Sequence, residues 1–153
     1  MYDILIALHS WLRWLVVLGG VAAISLAVQG LVKGTEYHKP HKVSGIVFLA
    51  STHTMLILGF ALFFVSPTVN AALGDMGAAM KIKAVRFWAI EHTTLMVLAA
   101  VAVTVGYSAA KRATQSASKY KRALIGFGIG FTLIIMGIPW PFRAEVARVL
   151  FRL

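Results

Sequence analysis

Apolar residues in this chain neither alternate nor form a narrow stripe; they run on in four long stretches separated by short polar breaks. The first extends from Ile4 to Val32 and contains a single charge, Arg13. The second, Val43 to Val65, ends at the breaker Ser66-Pro67. A run of small residues follows, TVNAALGDMGAAMKIK, whose latter half is read as the start of a third stretch covering roughly residues 80–110. The fourth, residues 123–139, stops at Pro139-Trp140-Pro141 and leaves a short amphipathic tail, 142–153. Apolar runs of about 20 residues match the roughly 30 Å hydrocarbon thickness of a bilayer. Asp3 is placed to cap the first helix, and Gly34 to stop it before the polar linker KGTEYHKPHK. That first stretch is far longer than the h-region of a cleavable signal, about 7–15 residues, and no basic region precedes it. Short connections pair neighbouring helices antiparallel, so the pattern predicts an all-α, integral-membrane, up-down-up-down four-helix bundle in one transmembrane domain, residues 1–153.

Composition strengthens that picture. Charged residues make up 13% of the 153, against about 25% in soluble domains, and mean hydropathy is +0.82. Too little polar surface remains to coat a water-soluble protein, which argues against a soluble enzyme or a disordered chain. The absence of cysteine excludes Fe–S clusters, thiolate zinc sites, thiol catalysis and disulfide staples. A net charge of +10 could suggest nucleic acid, but the 15 Lys and Arg sit in loops and helix ends and form no stripe. No nucleic-acid partner is expected. The basic residues bear instead on orientation. The first and third connections carry eight (Lys33, Lys39, Lys42, Lys111, Arg112, Lys119, Lys121, Arg122) and the remainder of the chain carries seven. The dense third block tips its side toward the cytoplasm. The expected location is the bacterial inner membrane, with both termini periplasmic. Trp11, Trp14, Trp88 and Trp140 all fall toward that outer face, as an interfacial belt would.

Ionisable residues within apolar spans are costly, and His9, Arg13, His53, Arg86, Glu91 and His92 are therefore the candidate functional residues. His53 lies at mid-helix among Ser51, Thr52 and Thr54, either bonded to a neighbouring helix or serving as a ligand. Three histidines on three helices, without cysteine and with few carboxylates, suit haem iron better than a hard cation. Counting residues from the outer face puts His53 and His92 at similar depth, about 20 Å, if the third helix begins near Gly77 or Met80. These two are the expected axial ligands, with His9 and His92 as the competing pair. Arg13 and Arg86, nearer the outer surface, suit the propionates, because guanidinium groups bind carboxylates bidentately. Glu91 calls for a partner; Arg13 is the natural one, as a structural ion pair or as part of a proton-accepting site.

Other features carry less. Met55, Met76, Met80, Met96 and Met136 share no ligand spacing and read as apolar filler. Gly126-Phe-Gly-Ile-Gly130 follows no strand, so it reads as helix packing and not as a nucleotide loop. His38 and His41 read as surface residues of the first linker.

The combination of LHSWLRW at the start, STHTMLILGFALFFVSP in the second span, RFWAIEHTTLM in the third and IPWPFR at the end resembles a family of small four-helix bacterial membrane proteins labelled cytochrome-b-like. The resemblance covers nearly the whole chain and implies a haem-binding or electron-transfer component, with His9, Arg13, His53, Arg86 and His92 as the matching polar positions. One haem b per chain is expected, since the chain lacks four histidines paired on two helices. The expected role is electron transfer between quinol and a partner, as a component of a respiratory complex or an oligomer and not as a stand-alone catalyst. Two alternatives come from other classes. A non-redox structural or assembly subunit would carry no cofactor. A transporter would need a water path, against which the sparse polar residues of the second and fourth spans argue.

Overall fold

A computed structural model describes residues 2–149 of the chain. It is all-helical among those residues. Four helices are long and apolar enough to cross a membrane: α1 (Tyr2–Lys33), α2 (Lys39–Val65), α5 (Lys83–Arg112) and α6 (Ser116–Gly137). Two short helices, α3 (Pro67–Gly74) and α4 (Met76–Ala79), lie between α2 and α5. Each turn of chain has a local cause. Gly34 ends α1 with φ of 63°, a left-handed conformation that a side chain would disfavour. Ser66 leaves α2 in an extended conformation and caps α3, its hydroxyl accepting from the Val69 N–H, with Pro67 at the first turn. Asp75 caps α4 through the Ala78 N–H at 2.9 Å.

The long helices form a ring in which α1 packs on α2, α2 on α5, α5 on α6 and α6 on α1. The core is built from small and aromatic residues, among them Ala23, Ala99, Val103 and Ala123 with Phe48 and Phe127 crossed edge to face. Between 17% and 39% of each helix's most apolar window is buried, so most of the apolar surface faces outward. Three hydroxyls of α2 are satisfied within that helix: Ser51 and Thr52 donate to the Phe48 carbonyl and Thr54 to that of Ala50. Polar side chains in an apolar setting need such bonds.

One end of the ring is tied by Tyr120, 1% exposed, whose hydroxyl donates to the Glu36 carbonyl at 2.9 Å. The Tyr37 N–H donates to Ser116 Oγ at 3.0 Å, joining the first linker to the start of α6. The His41 ring packs against Tyr37 and Tyr120, so it is a half-buried member of this cluster, where the sequence suggested a surface residue. Burial pushes the Tyr37 phenol above its ordinary pKa, with Tyr107 and Tyr120 adding to the effect. Tyr120→Phe removes the donor to Glu36 and is expected to cost about 1 kcal/mol. Thermal unfolding in detergent would measure it; an unchanged midpoint would show that water replaces the hydroxyl.

The third long helix differs most from its expected form. It begins at Lys83, later than residue 80, because the small-residue run before it folds as α3 and α4, which pack Ala72 and Ala79 on Ala89. It also contains a turn of π-helix, Phe87–Glu91. The tail is no helix through Val149; it is a series of turns, and residues 150–153 of the predicted amphipathic segment lie outside the described residues.

Candidate functional site

The π-turn of α5 delivers His92 to the centre of the ring. A π-turn inserts one residue into an α-helix and re-aims everything after it, and such turns recur at functional sites. The His92 ring lies 6.3 Å from that of His9 on α1, centre to centre, at 64° between planes. Its Nδ1–H donates to the Gly137 carbonyl at the end of α6, 2.8 Å away; a carbonyl only accepts, so this bond fixes the tautomer. Nε2 is left with its lone pair and with no hydrogen-bond partner among the described residues. His9 Nδ1 is buried and likewise has none among them. Gly59 of α2 faces His9, where an added methyl would stand 3.6 Å from its Cε1.

Both histidines line a cavity of about 190 Å³. Its polar wall holds Ser10, Arg13, Thr52 and Thr93; its apolar wall holds Met55, Leu56, Phe60, Phe63 and Met96. Arg13 is 8% exposed; it donates to Ser10 Oγ at 3.3 Å and lies over the Trp14 ring. Arg148 enters the cavity wall from the tail, stacked 5.1 Å above Trp88, which itself touches His92. The described residues that line the cavity include two arginines and two histidines.

The tail is fastened to the first turns of α5 and to the residues that follow α6. Arg143 stacks on Phe87 at 4.8 Å, the Arg148 N–H donates to the Pro139 carbonyl, and Lys83 pairs with Glu145 at 2.8 Å. Trp140 Nε1–H donates to the Ile135 carbonyl and the ring stacks on Phe142.

Of the six residues singled out in the sequence, three are brought together: His9, Arg13 and His92. His53 is not in the cavity wall; its ring is bonded to the Leu49 carbonyl and to Thr104. Arg86 is also outside it. Its Nε–H donates to Glu91 at 2.6 Å and its guanidinium to the Met80 carbonyl. Glu91 therefore pairs with Arg86 and not with Arg13. The spacing explains this, since residues five apart share a face in a π-turn and diverge in an α-helix. Arg148 is the member that sequence reasoning passed over. It entered only the charge count, because nothing in the tail's pattern signals a return to the bundle.

Among the described residues no three His, Cys, Asp or Glu side chains are grouped as a metal site. The fold and site together define a protein, all-helical over the described residues, with four membrane-length helices and a mostly apolar cavity lined at places by arginine and histidine. No family model, curated protein or solved structure matches the chain.

Proposed function

We propose that this chain is a b-type, single-haem electron-transfer protein, an up-down-up-down bundle spanning the bacterial inner membrane, akin to the small membrane proteins labelled cytochrome-b-like. The observation that carries the reading is the His9–His92 pair: two imidazoles on different helices, 6.3 Å apart, lining one cavity. A metal held between two imidazole nitrogens at about 2.0–2.1 Å each keeps the ring centres about 6 Å apart. Two histidines alone are too few donors for a bare ion, whereas a macrocycle brings four of its own.

The surrounding residues fit that group. Arg13 and Arg148 supply the cations that two propionates require. The Gly137 carbonyl holds His92 in the tautomer a ligand needs and raises its basicity. Met55 and Met96, unbranched and soft, are the wall residues best able to yield to a flat occupant. When bound, the haem would supply a one-electron redox couple; the chain would supply the ligands, the cations and a pocket closed to water. Quinol dissolved in the bilayer is the proposed donor or acceptor, and a second respiratory subunit the other. The basic block Lys111–Arg122 would lie in the cytoplasm and both termini outside.

The test is a reduced-minus-oxidised optical spectrum of the detergent-purified protein with a pyridine haemochrome assay. A sharp alpha band and about one haem b per chain are expected. A colourless protein that takes up no added haem would overturn the proposal and leave the chain as a non-redox subunit of a larger complex.

A further inference from the structure

The two basic linkers are separate in the sequence and continuous in the fold. Lys33, Lys39 and Lys42 flank the first, and five more cations lie between Lys111 and Arg122 inclusive. The Tyr37 N–H bond to Ser116 Oγ and the Tyr120 hydroxyl bond to the Glu36 carbonyl hold one linker against the other. Lys119 Nζ lies over the Tyr37 ring at 5.6 Å, and Arg122 donates to the Ala109 carbonyl near the end of α5. All of these cations except Lys119 are exposed. Against the eight stands one carboxylate, Glu36; Asp3, Asp75, Glu91 and Glu145 belong to the end of the bundle that holds the cavity. Among the described residues no ion pair includes any of the eight.

We propose that this end of the bundle is a docking surface for anionic phospholipid headgroups, whose phosphodiester the joined linkers recognise. The layout favours a lipid over a soluble polyanion. The cations begin where the apolar surface ends: exposed Val32 precedes Lys33, exposed Val43 follows Lys42, and exposed Ile125 is three residues beyond Arg122. A lipid whose chains lie along those residues carries its phosphate at the level of the cations. Lys and Arg suit that level, because their stems lie on apolar surface while the charge reaches the headgroups. A zwitterionic headgroup brings its own cation to the same phosphate and gains little. Clusters of basic residues beside a membrane helix hold anionic lipid, each cation adding about fivefold in affinity. The inference rests on reading the long helices as membrane-spanning, and not on what the cavity holds.

The test is native mass spectrometry of the full chain, as purified in a neutral detergent, titrated with dioleoyl phosphatidylglycerol or dioleoyl phosphatidylcholine. The first phosphatidylglycerol should bind at least about tenfold more tightly than the first phosphatidylcholine. Lys39→Gln/Lys42→Gln and Lys111→Gln/Lys121→Gln should each reduce that preference by about fivefold or more, because both linkers serve one surface. Lys81→Gln/Lys83→Gln removes as many cations from the far end and should leave the preference within about twofold of wild type. Equal affinity of the wild type for the two lipids overturns the proposal. So does a preference that either linker pair leaves intact, or that the far-end pair reduces as much. A chain released from membranes by carbonate, without detergent, would overturn the membrane-spanning reading and the lipid surface with it.

Discussion

Gly126→Leu is expected to destabilise the bundle at or beyond the upper end of the about 1–3 kcal/mol typical of overpacked cores. Gly106 of α5 and Gly126 of α6 touch through their backbones. A methyl built on Gly106 would stand 2.7 Å from Gly126 Cα, and one on Gly126 would stand 2.7 Å from Gly106 N. No side chain here can swing aside, so the helices themselves would have to part. One turn on, Gly130 fits against Val103 and the Ala99 carbonyl. Packing between small residues matters more in a bilayer than in water, because lipid is as apolar as the helix interface and offers no hydrophobic drive. Gly128 provides the control. It is on the same helix, yet an added methyl would meet nothing within 4 Å, so Gly128→Leu should leave the unfolding midpoint within about 0.5 kcal/mol of wild type. Thermal or denaturant unfolding of the two variants in one detergent measures the contrast. Equal changes in the two variants would show that the Gly106–Gly126 contact does not govern this segment.

The four spans were legible because long apolar runs carry their meaning without tertiary context. What was not legible lay where small residues and helix irregularity decide the outcome. The segment between Ser66 and Lys83 has no strong period, and its folding into α3 and α4 moves the start of the third span to Lys83. His92 then lies nine residues into its helix, about 14 Å, and His9 lies seven into its own, about 10 Å; His53 is twelve residues from the end of α2, about 18 Å. A start placed three to six residues too early is enough to make His53 look like the better partner. The π-turn adds a further displacement that no count at 3.6 residues per turn contains, and it also joins Arg86 to Glu91. His9, Arg13 and His92 could be named from the cost of burying them in an apolar span. Their grouping could not, because it depends on helix register.

The histidine series turns that register into a result. His9→Ala and His92→Ala should each abolish haem retention, whereas His53→Ala should keep about one haem per chain with an unshifted low-spin spectrum. The asymmetry follows from what each ring already does. Both His53 nitrogens are engaged, with Leu49 and Thr104, and its side chain is outside the cavity wall. His92 spends one nitrogen on Gly137, and His9 Nδ1 is buried with no hydrogen-bond partner among the described residues. Arg148→Ala removes a cation from the wall without touching a ligand, so it should weaken haem binding by about 10–100-fold and leave the band positions of the remaining holoprotein unchanged. Haem-to-protein ratios after gel filtration, with circular dichroism to show that each variant is folded, provide the readout. If His53→Ala loses haem while His9→Ala keeps it, the ligand pair is His53 with His92. The cavity between His9 and His92 would then call for an occupant other than haem, one suited to a mostly apolar wall that carries two arginines.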